Sequence, residues 1–336
     1  MRAWVTHGAG LEHLRLESRD TPRPAAGQVL LRMRAASVAL RDFKMAQGAY
    51  GPAPGRVLGG EGVGEIAALG AGVAGWRIGQ RVNPLFVHRH TDARIAAADI
   101  ASSSLGGPQR DGCFAEFMLA DAAALVEPPA FLSDAQAATL PFAGVTASSA
   151  LGEAFIGPGD VVVVQGTNGV MLFALQLAIG TGATVIATSK NDDKLARARA
   201  LGAAHTINYQ ATPEWAAAVL EITRGRGADL VLDPGGTATM AQSLQALRPG
   251  GTCAVVGALG ASPELGVSIP WLLGHQLRVV GCNGGSLAAH QSLSKALEAG
   301  GVEPVVERVW PFDALPDALA AAPKAEQFGK VVLQIQ

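Results

Sequence analysis

The sequence is short of cysteine, of charge and of an apolar leader, and each shortage argues against a class of protein. Its 336 residues include three cysteines, Cys113, Cys253 and Cys282, which are too few and too scattered for a disulfide framework or a CxxC metal site. The charged fraction is 16%, the formal net charge is −2 and no basic cluster occurs, so nucleic acid is not an expected partner. Residues 1–7 lack the apolar segment of a signal peptide. We therefore expect a protein of the reducing cytoplasm.

The composition that is present favours a folded chain of two domains. Hydrophobic residues make up 49% of the chain, and 336 residues are ample for a sizeable core. The most apolar stretch, residues 161–180, is interrupted by Gln165 and Asn168, so it does not predict a membrane span. A soluble protein without a membrane partner is expected.

Residues 161–176 are the stretch around which the chain is organised. Residues 161–164 are four valines, which predict a strand buried on both faces, as in a parallel sheet. Glycines then allow a tight turn, in which Asn168 would tolerate a positive φ, and an apolar run at helical spacing follows. A strand, a glycine turn and a helix N-terminus together form an anion site, because unpaired N–H groups face one point. The candidate cofactor-binding residues here are Gly166, Thr167, Asn168, Gly169 and Val170.

The context of this turn predicts a doubly wound parallel sheet that binds a dinucleotide. A helix is predicted at 193–201, behind the capping candidates Asn191 and Asp192. Alternating strands and helices of this length are typical of a Rossmann fold. The alternative is an α/β domain whose glycine turn is merely steric. The further strands are predicted at residues 184–189, 205–209, 228–233, 251–256 and 277–281.

The end of the second strand indicates which dinucleotide is bound. An NAD enzyme usually has Asp or Glu there, which holds the ribose 2′-hydroxyl. This chain has Ser189 and Lys190, with Lys194 one turn into the next helix. Hydroxyl and ammonium groups would hold a 2′-phosphate, so NADPH is favoured. The alternative is that both lysines are solvated surface residues.

Residues 1–125 are predicted to be β-rich, with strands at 1–6, 28–36, 62–69 and 115–119 separated by glycine and proline. The glycines of 59–64 suggest a phosphate loop, but no helical pattern follows them, and backbone geometry is the favoured interpretation. Residues 91–107 are predicted to be a long loop. The neighbouring stretch 88–92 contains two histidines and an aspartate, for which a solvated loop is favoured over a metal site.

The last part of the chain is predicted to contain both helices and strands. A helix is expected at 287–299, a strand at 302–309, a helix at 314–322 and a strand at 330–335. Upstream of the glycine turn, a helix is expected at 134–140.

Several motifs, in this order and spacing, resemble the medium-chain dehydrogenase/reductase superfamily, and the resemblance covers essentially the whole chain. The motifs are AASVALRD (35–42), GEGVGE (60–65), GQRV (79–82), LPFAGVTA (140–147), GTNGV (166–170) and FGKVV (328–332). Within it, the chain is most similar to the zinc-free branch around quinone oxidoreductases and alcohol-dehydrogenase-like proteins. The resemblance implies an α/β fold: a GroES-like β-rich catalytic domain at 1–125, a Rossmann NADP-binding domain at 126–285, and a segment at 286–336 that completes the first.

The chain departs from the zinc alcohol dehydrogenase pattern at both metal sites. The positions that match the catalytic ligands are Ala39, Gly60 and Phe142, none of which can ligate zinc. The structural zinc loop would fall between about residues 87 and 113, where Cys113 is the single cysteine. The resemblance therefore implies a protein without zinc, in which Glu61, a neighbour of the catalytic metal in zinc members, is a structural carboxylate.

A protein without zinc needs another electrophile or proton donor. Tyr50 is the candidate catalytic residue, since it matches a tyrosine that lines the substrate cleft in the quinone oxidoreductase branch; the alternative is a packing residue. Asp42 matches a recurrent acid of the family, which a salt bridge or loop cap explains equally well. The branch also implies that Lys194 and Tyr209 contact the 2′-phosphate. Residues on the nicotinamide side are expected to be Thr146, Val256, Gly257 and Asn283.

Three functions remain open from the sequence. The leading hypothesis is an NADPH-dependent reductase without metal, which delivers hydride to an activated C=C (an enone) or a quinone. A zinc-free ketone reductase or alcohol dehydrogenase is the second, and a non-catalytic NADPH-binding protein is the third. The substrate is expected to be a small hydrophobic carbonyl compound, enone or quinone. The resemblance also implies a homodimer formed by edge strands, for which residues 265–269 are the candidate edge.

Overall fold

The protein is described by a computed structural model that covers residues 1–51, 53–91, 94–257, 267–324 and 326–336. The chain forms two compact units, Met1–Val145 with Gly284–Gln336, and Thr146–Asn283. The first division falls after Val145 rather than after residue 125, because the segment between them packs on the first unit: Arg34 forms an ion pair with Asp134 at 3.3 Å, and Asn83 donates to the carbonyl of Ala137 at 3.0 Å.

The helices and strands alternate through the middle of the chain, with a strand-rich region before them. The strands are β1 (Arg2–Thr6), β2 (Leu14–Ser18), β3 (Gln28–Val38), β4 (Arg56–Val57), β5 (Glu61–Leu69), β6 (Arg81–Pro84), β7 (Phe117–Asp121), β8 (Leu125–Val126), β9 (Val161–Gln165), β10 (Thr184–Ser189), β11 (His205–Asn208), β12 (Ala228–Asp233), β13 (Leu247–Val255), β14 (Arg278–Gly281), β15 (Val306–Pro311) and β16 (Lys330–Gln334). The helices are α1 (Leu40–Ala46), α2 (Ala97–Ser103), α3 (Asp134–Ala137), α4 (Val145–Glu153), α5 (Gly169–Gly180), α6 (Asp192–Ala200), α7 (Trp215–Ile222), α8 (Met240–Gln245), α9 (Ile269–Gly274), α10 (Leu287–Gly300) and α11 (Leu315–Ala321), with a π-helix at Leu140–Gly144.

The first unit is built on a mixed sheet in the order β15-β16-β3-β5-β6-β8, and β7 also pairs with β3. The C-terminal strand β16 pairs antiparallel with β3, so the end of the chain is part of this sheet. A smaller sheet has the order β2-β1-β4. The core of the unit includes Leu31, Met33, Phe114 and Leu333, all fully buried.

The glycines of 59–64 serve the backbone, as the strand interpretation predicts. Gly59 has φ +105°, a backbone angle that residues with a side chain rarely adopt. A Cβ on Gly62 would lie 2.9 Å from the carbonyl oxygen of Ala35, and one on Gly64 would lie 2.8 Å from that of Arg32, because β3 and β5 pair closely there. The predicted strand at 62–69 is confirmed as β5.

The second unit is the predicted doubly wound sheet. Its six parallel strands have the order β11-β10-β9-β12-β13-β14. The chain direction across the sheet reverses between β9 and β12, and the carboxyl ends of strands at such a switch point form a ligand crevice. The strand predicted at 228–233 is confirmed with the same bounds as β12, and β13 begins earlier than predicted, at Leu247.

Further local predictions differ from the structure, among them the strand predicted at 302–309, which is observed as β15 (Val306–Pro311). The predicted loop 91–107 contains α2, a short helix of small residues whose pattern is too weak to identify from sequence. The helix predicted at 134–140 ends at Ala137, and the chain continues into the π-helix Leu140–Gly144. Among the described helices, none combines the length and the apolar character needed to cross a membrane.

Candidate cofactor site and catalytic residues

The turn between β9 and α5 has the geometry of an anion site. Gly166 has φ +95°, and its N–H donates to the carbonyl of Thr188 at 2.8 Å. Asn168 does not use a positive φ: its φ is −76°, and it caps α5 by accepting from the N–H of Met171 at 3.3 Å. Gly166 therefore takes the strained position and Asn168 the cap. The N–H groups of Gly169 and Val170, in the first turn, have no acceptor within the helix and suit a pyrophosphate.

The end of β10 brings the candidate 2′-phosphate residues to one edge of the sheet. Ser189 pairs with Asn208 in the parallel register, so Lys190 and Tyr209 follow at the ends of neighbouring strands. Both side chains are exposed, Tyr209 by 39%. Ser189 is buried, and its hydroxyl accepts from the N–H of Asn191 at 3.2 Å, which turns the chain into α6.

The first turn of α6 adds groups of both signs. Asn191 is confirmed as the N-cap, because its side chain accepts from the N–H of Lys194 at 3.0 Å. Asp192 accepts from the side chain of Asn208 at 2.8 Å, so a carboxylate also lies near this edge. Two lysines and an aspartate therefore stand at or just after this edge of the sheet.

The sequence pattern does not predict the buried polar network at the switch point. Asp233, at the end of β12, accepts from two N–H groups of the following loop at 2.8 Å and from the hydroxyl of Thr239 at 2.7 Å. Ser243 donates to Asp233 at 2.5 Å and accepts from the side-chain amide of Gln165, at the end of β9, at 2.7 Å. The network ties the two strands that flank the crevice. Its only signal in the sequence is a polar residue at the end of each apolar strand.

The residues expected on the nicotinamide side lie at several places in the second unit. The N–H of Val256 donates to the carbonyl of Asp233 at 2.9 Å, and a Cβ on Gly257 would lie 3.0 Å from the carbonyl of Pro234. Both therefore border the loop that follows β12. Asn283 is exposed after β14, and Thr146 is buried near the start of α4.

In the first unit, Gly60 and Phe142, two of the positions that the resemblance assigns to metal ligands, lie beside Arg41 and Phe86. A Cβ on Gly60 would lie 3.2 Å from Nη1 of Arg41 and 3.4 Å from the ring of Phe86. The rings of Phe86 and Phe142 are 4.5 Å apart, and the guanidinium of Arg41 lies 4.7 Å from the centre of the Phe86 ring. These residues do not fit a zinc ion, because none of them offers a thiolate, imidazole or carboxylate. Across the described residues, no three His, Cys, Asp or Glu side chains are grouped to hold a metal.

Burial shifts the pKa values of the ionisable groups around this cluster. Burial raises the pKa of Asp42 to about 6, although Arg41 and the N–H of Ala39, which donates to Asp42 at 2.9 Å, both favour the carboxylate. Burial likewise lowers the pKa of Arg41, against the attraction of Asp42 and Tyr50. Cys113 is fully buried and its thiol pKa is raised by that burial, so it is not a reactive cysteine.

Glu61 forms a buried ion pair with the C-terminal strand. Its Oε1 accepts from Nζ of Lys330 at 2.6 Å, and the two residues are 1% and 6% exposed. Its Oε2 accepts from the backbone N–H groups of Phe142 and Ala143 at 3.0 Å. Glu61 therefore stabilises the π-helix that contains Phe142. This is a structural role.

Tyr50 and the histidines differ in exposure. Tyr50 follows α1, is 52% exposed and lies close enough to Arg41 for electrostatic interaction, so it is not a buried packing residue. His88 is 2% exposed, and burial lowers its pKa to about 3; neither ring nitrogen has a hydrogen-bond partner. It is not the solvated loop residue that the sequence favours. Asp92, the carboxylate of that stretch, lies outside the described residues.

A glycine turn at the switch point of a parallel sheet, in a chain that also has a β-rich unit, is typical of a class of nucleotide-dependent oxidoreductases. The chain matches the families described as "Alcohol dehydrogenase GroES-like domain" at residues 25–130 and "Zinc-binding dehydrogenase" at residues 169–300. It is 37% identical to a zinc-type alcohol dehydrogenase-like protein of Schizosaccharomyces pombe, over 99% of both chains. The chain belongs to the medium-chain dehydrogenase/reductase superfamily, and it is an alcohol dehydrogenase-like oxidoreductase.

Solved structures agree with this assignment. One titled as an NAD-dependent alcohol dehydrogenase is 32% identical over 100% of both chains, with a TM-score of 0.89. The quinone oxidoreductase from Coxiella burnetii is 26% identical over 100% of this chain and 99% of its own, with a TM-score of 0.81. Alcohol dehydrogenases and a quinone oxidoreductase thus share this fold.

Proposed function

We propose that the protein is a zinc-independent, NADPH-dependent oxidoreductase that transfers hydride to an activated C=C (enone) or to a quinone. The proposal rests on which residues occupy the three positions assigned to metal ligands. Ala39, Gly60 and Phe142 supply no ligand; Arg41 and Phe86 lie where a side chain on Gly60 would point, and the ring of Phe142 packs on Phe86. Enones and quinones are electrophilic enough to accept hydride without a Lewis acid, whereas a simple ketone depends more on one.

The cofactor, when bound, supplies the hydride. The residues proposed to hold its pyrophosphate are those of the Gly166–Asn168 turn and the first turn of α5, where free N–H groups and the helix dipole favour negative charge. Thr146, Val256, Gly257 and Asn283 are proposed to lie on the nicotinamide side. Tyr50 is proposed to deliver the proton that completes the reduction, because its exposed phenol can donate one and exchange with solvent.

The preference for NADPH rests on Lys190 and Lys194, with Ser189 and Tyr209 at the same edge. In a fluorescence titration, the wild type is expected to bind NADPH at least tenfold more tightly than NADH. The variant Lys190→Ala/Lys194→Ala is expected to lose about tenfold of the NADPH affinity and none of the NADH affinity, because only NADPH carries the 2′-phosphate.

Lys295→Ala is the matched control for this titration, since Lys295 is an exposed lysine on α10. It is expected to bind both cofactors as the wild type does. Equal affinity of the wild type for NADH and NADPH would contradict the preference and would indicate that Asp192 outweighs the lysines at this edge.

The reaction is tested by loss of NADPH absorbance with chelator-treated protein and a panel of quinones, α,β-unsaturated ketones and saturated ketones. We expect turnover of quinones or enones at the rate of untreated protein, because no step needs a metal. Metal analysis is expected to find far less than one zinc per chain. Stoichiometric zinc, or activity that a chelator removes and zinc restores, would contradict the proposal.

A ketone reductase or alcohol dehydrogenase is the second candidate, because relatives of this chain bear that name. Turnover of saturated ketones by the chelated protein would favour it, with Tyr50 or a bound water polarising the carbonyl. Binding of NADPH without turnover of any acceptor would favour the third candidate, a non-catalytic NADPH-binding protein.

We also propose a cytoplasmic homodimer. Among the described strands, β14 pairs with β13 on one side only, and Val279 within it is 39% exposed. An exposed strand edge suits pairing with a second copy. The edge expected at 265–269 lies partly outside the described residues, and Ile269 begins α9 rather than belonging to a strand.

A further inference from the structure

The guanidinium of Arg41 lies where a metal-ligand side chain would point. Gly60 is one of the three positions assigned to metal ligands, and a Cβ there would be 3.2 Å from Nη1 of Arg41. Phe142 is another, and its ring packs on Phe86, over which the same guanidinium lies at 4.7 Å. A positive charge therefore lies near Gly60, and it is the guanidinium of Arg41 rather than a metal ion.

Arg41 is held in position with an ion-pair contact to Asp42 but without a hydrogen bond to it. Nη1 donates to the carbonyl of Leu105 at 3.1 Å, which is the one hydrogen-bond acceptor of Arg41 within the described chain. The nearest carboxylate, Asp42, is 3.8 Å away, beyond hydrogen-bond distance, and its other oxygen accepts from Ala39. A guanidinium has five N–H donors in a rigid fork, so most of them remain available.

The side chain of Arg41 is neither fully exposed nor fully buried. It is 16% exposed, so most of it is withdrawn from water while part can reach a ligand. Its stem and plane are fixed by Phe86 and Leu105, which limits the entropy that it would lose on binding. Donors that are fixed in advance, in a partly dehydrated place, stabilise developing negative charge more strongly than the same donors in water.

We propose that Arg41 is the electrophile of this enzyme, binding the carbonyl oxygen of a planar conjugated enone or quinone and stabilising the negative charge that grows on it. The inference rests on the proposed function and names the residue that replaces the Lewis acid. Phe86 and Phe142 supply flat apolar walls beside the guanidinium, which suit a planar unsaturated ring better than a hydroxylated chain.

The step balances with the groups already named. Hydride, with its two electrons, adds to the electrophilic carbon of the substrate, and the π pair of the C=C bond moves through conjugation to the oxygen. The resulting enolate oxygen is held by the N–H groups of Arg41, which stays protonated throughout because a guanidinium does not lose its proton in proteins. Tyr50 or a water then delivers the proton to the enolate, and solvent reprotonates Tyr50.

The test uses an oxyanion that needs no turnover. The probe is 4-nitrophenolate, a planar aromatic anion, titrated by its absorbance into the NADP-saturated protein. The wild type is expected to bind it, and Arg41→Met is expected to bind it about 30-fold more weakly, because a charge-assisted hydrogen bond is lost. Arg41→Lys is expected to fall between the two, since it keeps the charge and loses the fork.

Arg81→Met is the matched control. Arg81 is a partly buried arginine of the same unit, and its guanidinium donates to the carbonyls of Leu132 and Pro129 at 2.9 Å each. Its loss is expected to lower the melting temperature while the affinity for 4-nitrophenolate stays within about twofold of the wild type. If Arg41→Met does not fold, Arg41→Lys decides the question by the same titration.

The kinetic arm separates this inference from the proposed function. With an enone or quinone that the wild type reduces, Arg41→Met is expected to lower kcat about 100-fold at an unchanged KM for NADPH. Tyr50→Phe is expected to lower kcat while the affinity for 4-nitrophenolate is kept. A wild type that reduces nothing on the panel would contradict the proposed function, and the titration would still decide on Arg41. A wild type that does not bind 4-nitrophenolate, or an Arg41→Met variant that binds it equally well, would overturn the inference.

Discussion

Lys330→Met is expected to lower the free energy of unfolding by about 3–5 kcal/mol, measured by urea denaturation at pH 7. Lys330 is 6% exposed and donates to Glu61 at 2.6 Å, so its removal leaves the carboxylate of Glu61 buried without a counter-ion. The two backbone N–H groups that Glu61 also accepts from supply only part of the missing stabilisation. The loss should extend to the π-helix, because Glu61 holds the backbone of Phe142.

The double variant Glu61→Gln/Lys330→Met tests the cause. It removes both charges and keeps an amide oxygen for the N–H groups of Phe142 and Ala143, so it is expected to recover a substantial part of the loss. The control is Arg278→Met, which breaks an exposed ion pair with Glu153 at 3.5 Å, with side chains 45% and 49% exposed. That pair is expected to contribute less than about 1 kcal/mol. A Lys330→Met variant as stable as the control would show that the buried pair does not hold this sheet together.

The second large effect is a loss of stability in acid, caused by two buried histidines. His88 and His290 are 2% and 0% exposed, and none of their ring nitrogens has a hydrogen-bond partner. Burial lowers the pKa of each to about 3. The unfolded chain takes up these protons near pH 6.5 and the folded chain cannot, so stability falls as the pH drops from about 6.5 towards 3.

The slope approaches about 1.4 kcal/mol per pH unit and per histidine below pH 6, which gives about 3 kcal/mol for both between pH 6.5 and pH 5. The double variant His88→Leu/His290→Leu is expected to abolish this part of the acid sensitivity in urea titrations at pH 7 and pH 5. It also removes the unpartnered polar atoms. The explanation would be contradicted if the wild type were equally stable at pH 7 and pH 5. It would also be contradicted if the double variant lost as much stability as the wild type between these pH values.

Asp42→Asn is the comparison of opposite sign. The pKa of Asp42 is raised to about 6, so the folded state takes up this proton before the unfolded state does, and the group adds stability as the pH falls from about 6 towards 3.8. Removing it is expected to make the acid loss steeper, by about 1.4 kcal/mol at pH 5. An amide at this position can still accept from Ala39.

The elements of the second unit could be predicted from the sequence because their causes are local. Four consecutive valines, a glycine and an apolar helix already define β9, the turn and α5, and the side chain of Asn191 caps α6 within three residues of its own position. Even there, the assignment of the positive φ to Asn168 was wrong, since Asn168 is better used as a cap and Gly166 takes the turn.

The match of three residues to the family's metal positions stays a prediction, but the lack of a ligating group is a property of each residue itself. Ala39, Gly60 and Phe142 have no ligating group in any fold. What takes their place was not readable. No local pattern predicts that Arg41, at the start of α1, meets Gly60 and Phe86, which are distant from it in sequence.

The sequence by itself determined the order of strands and helices and the glycine turn, since each depends on residues a few positions apart. Tertiary structure alone decided the polar network of Gln165 and Asp233, the burial of His88, and the ion pair of Glu61 with Lys330, whose residues are 269 positions apart. Such contacts depend on which strands become neighbours, and that choice is made by the burial of the whole core rather than by any local pattern.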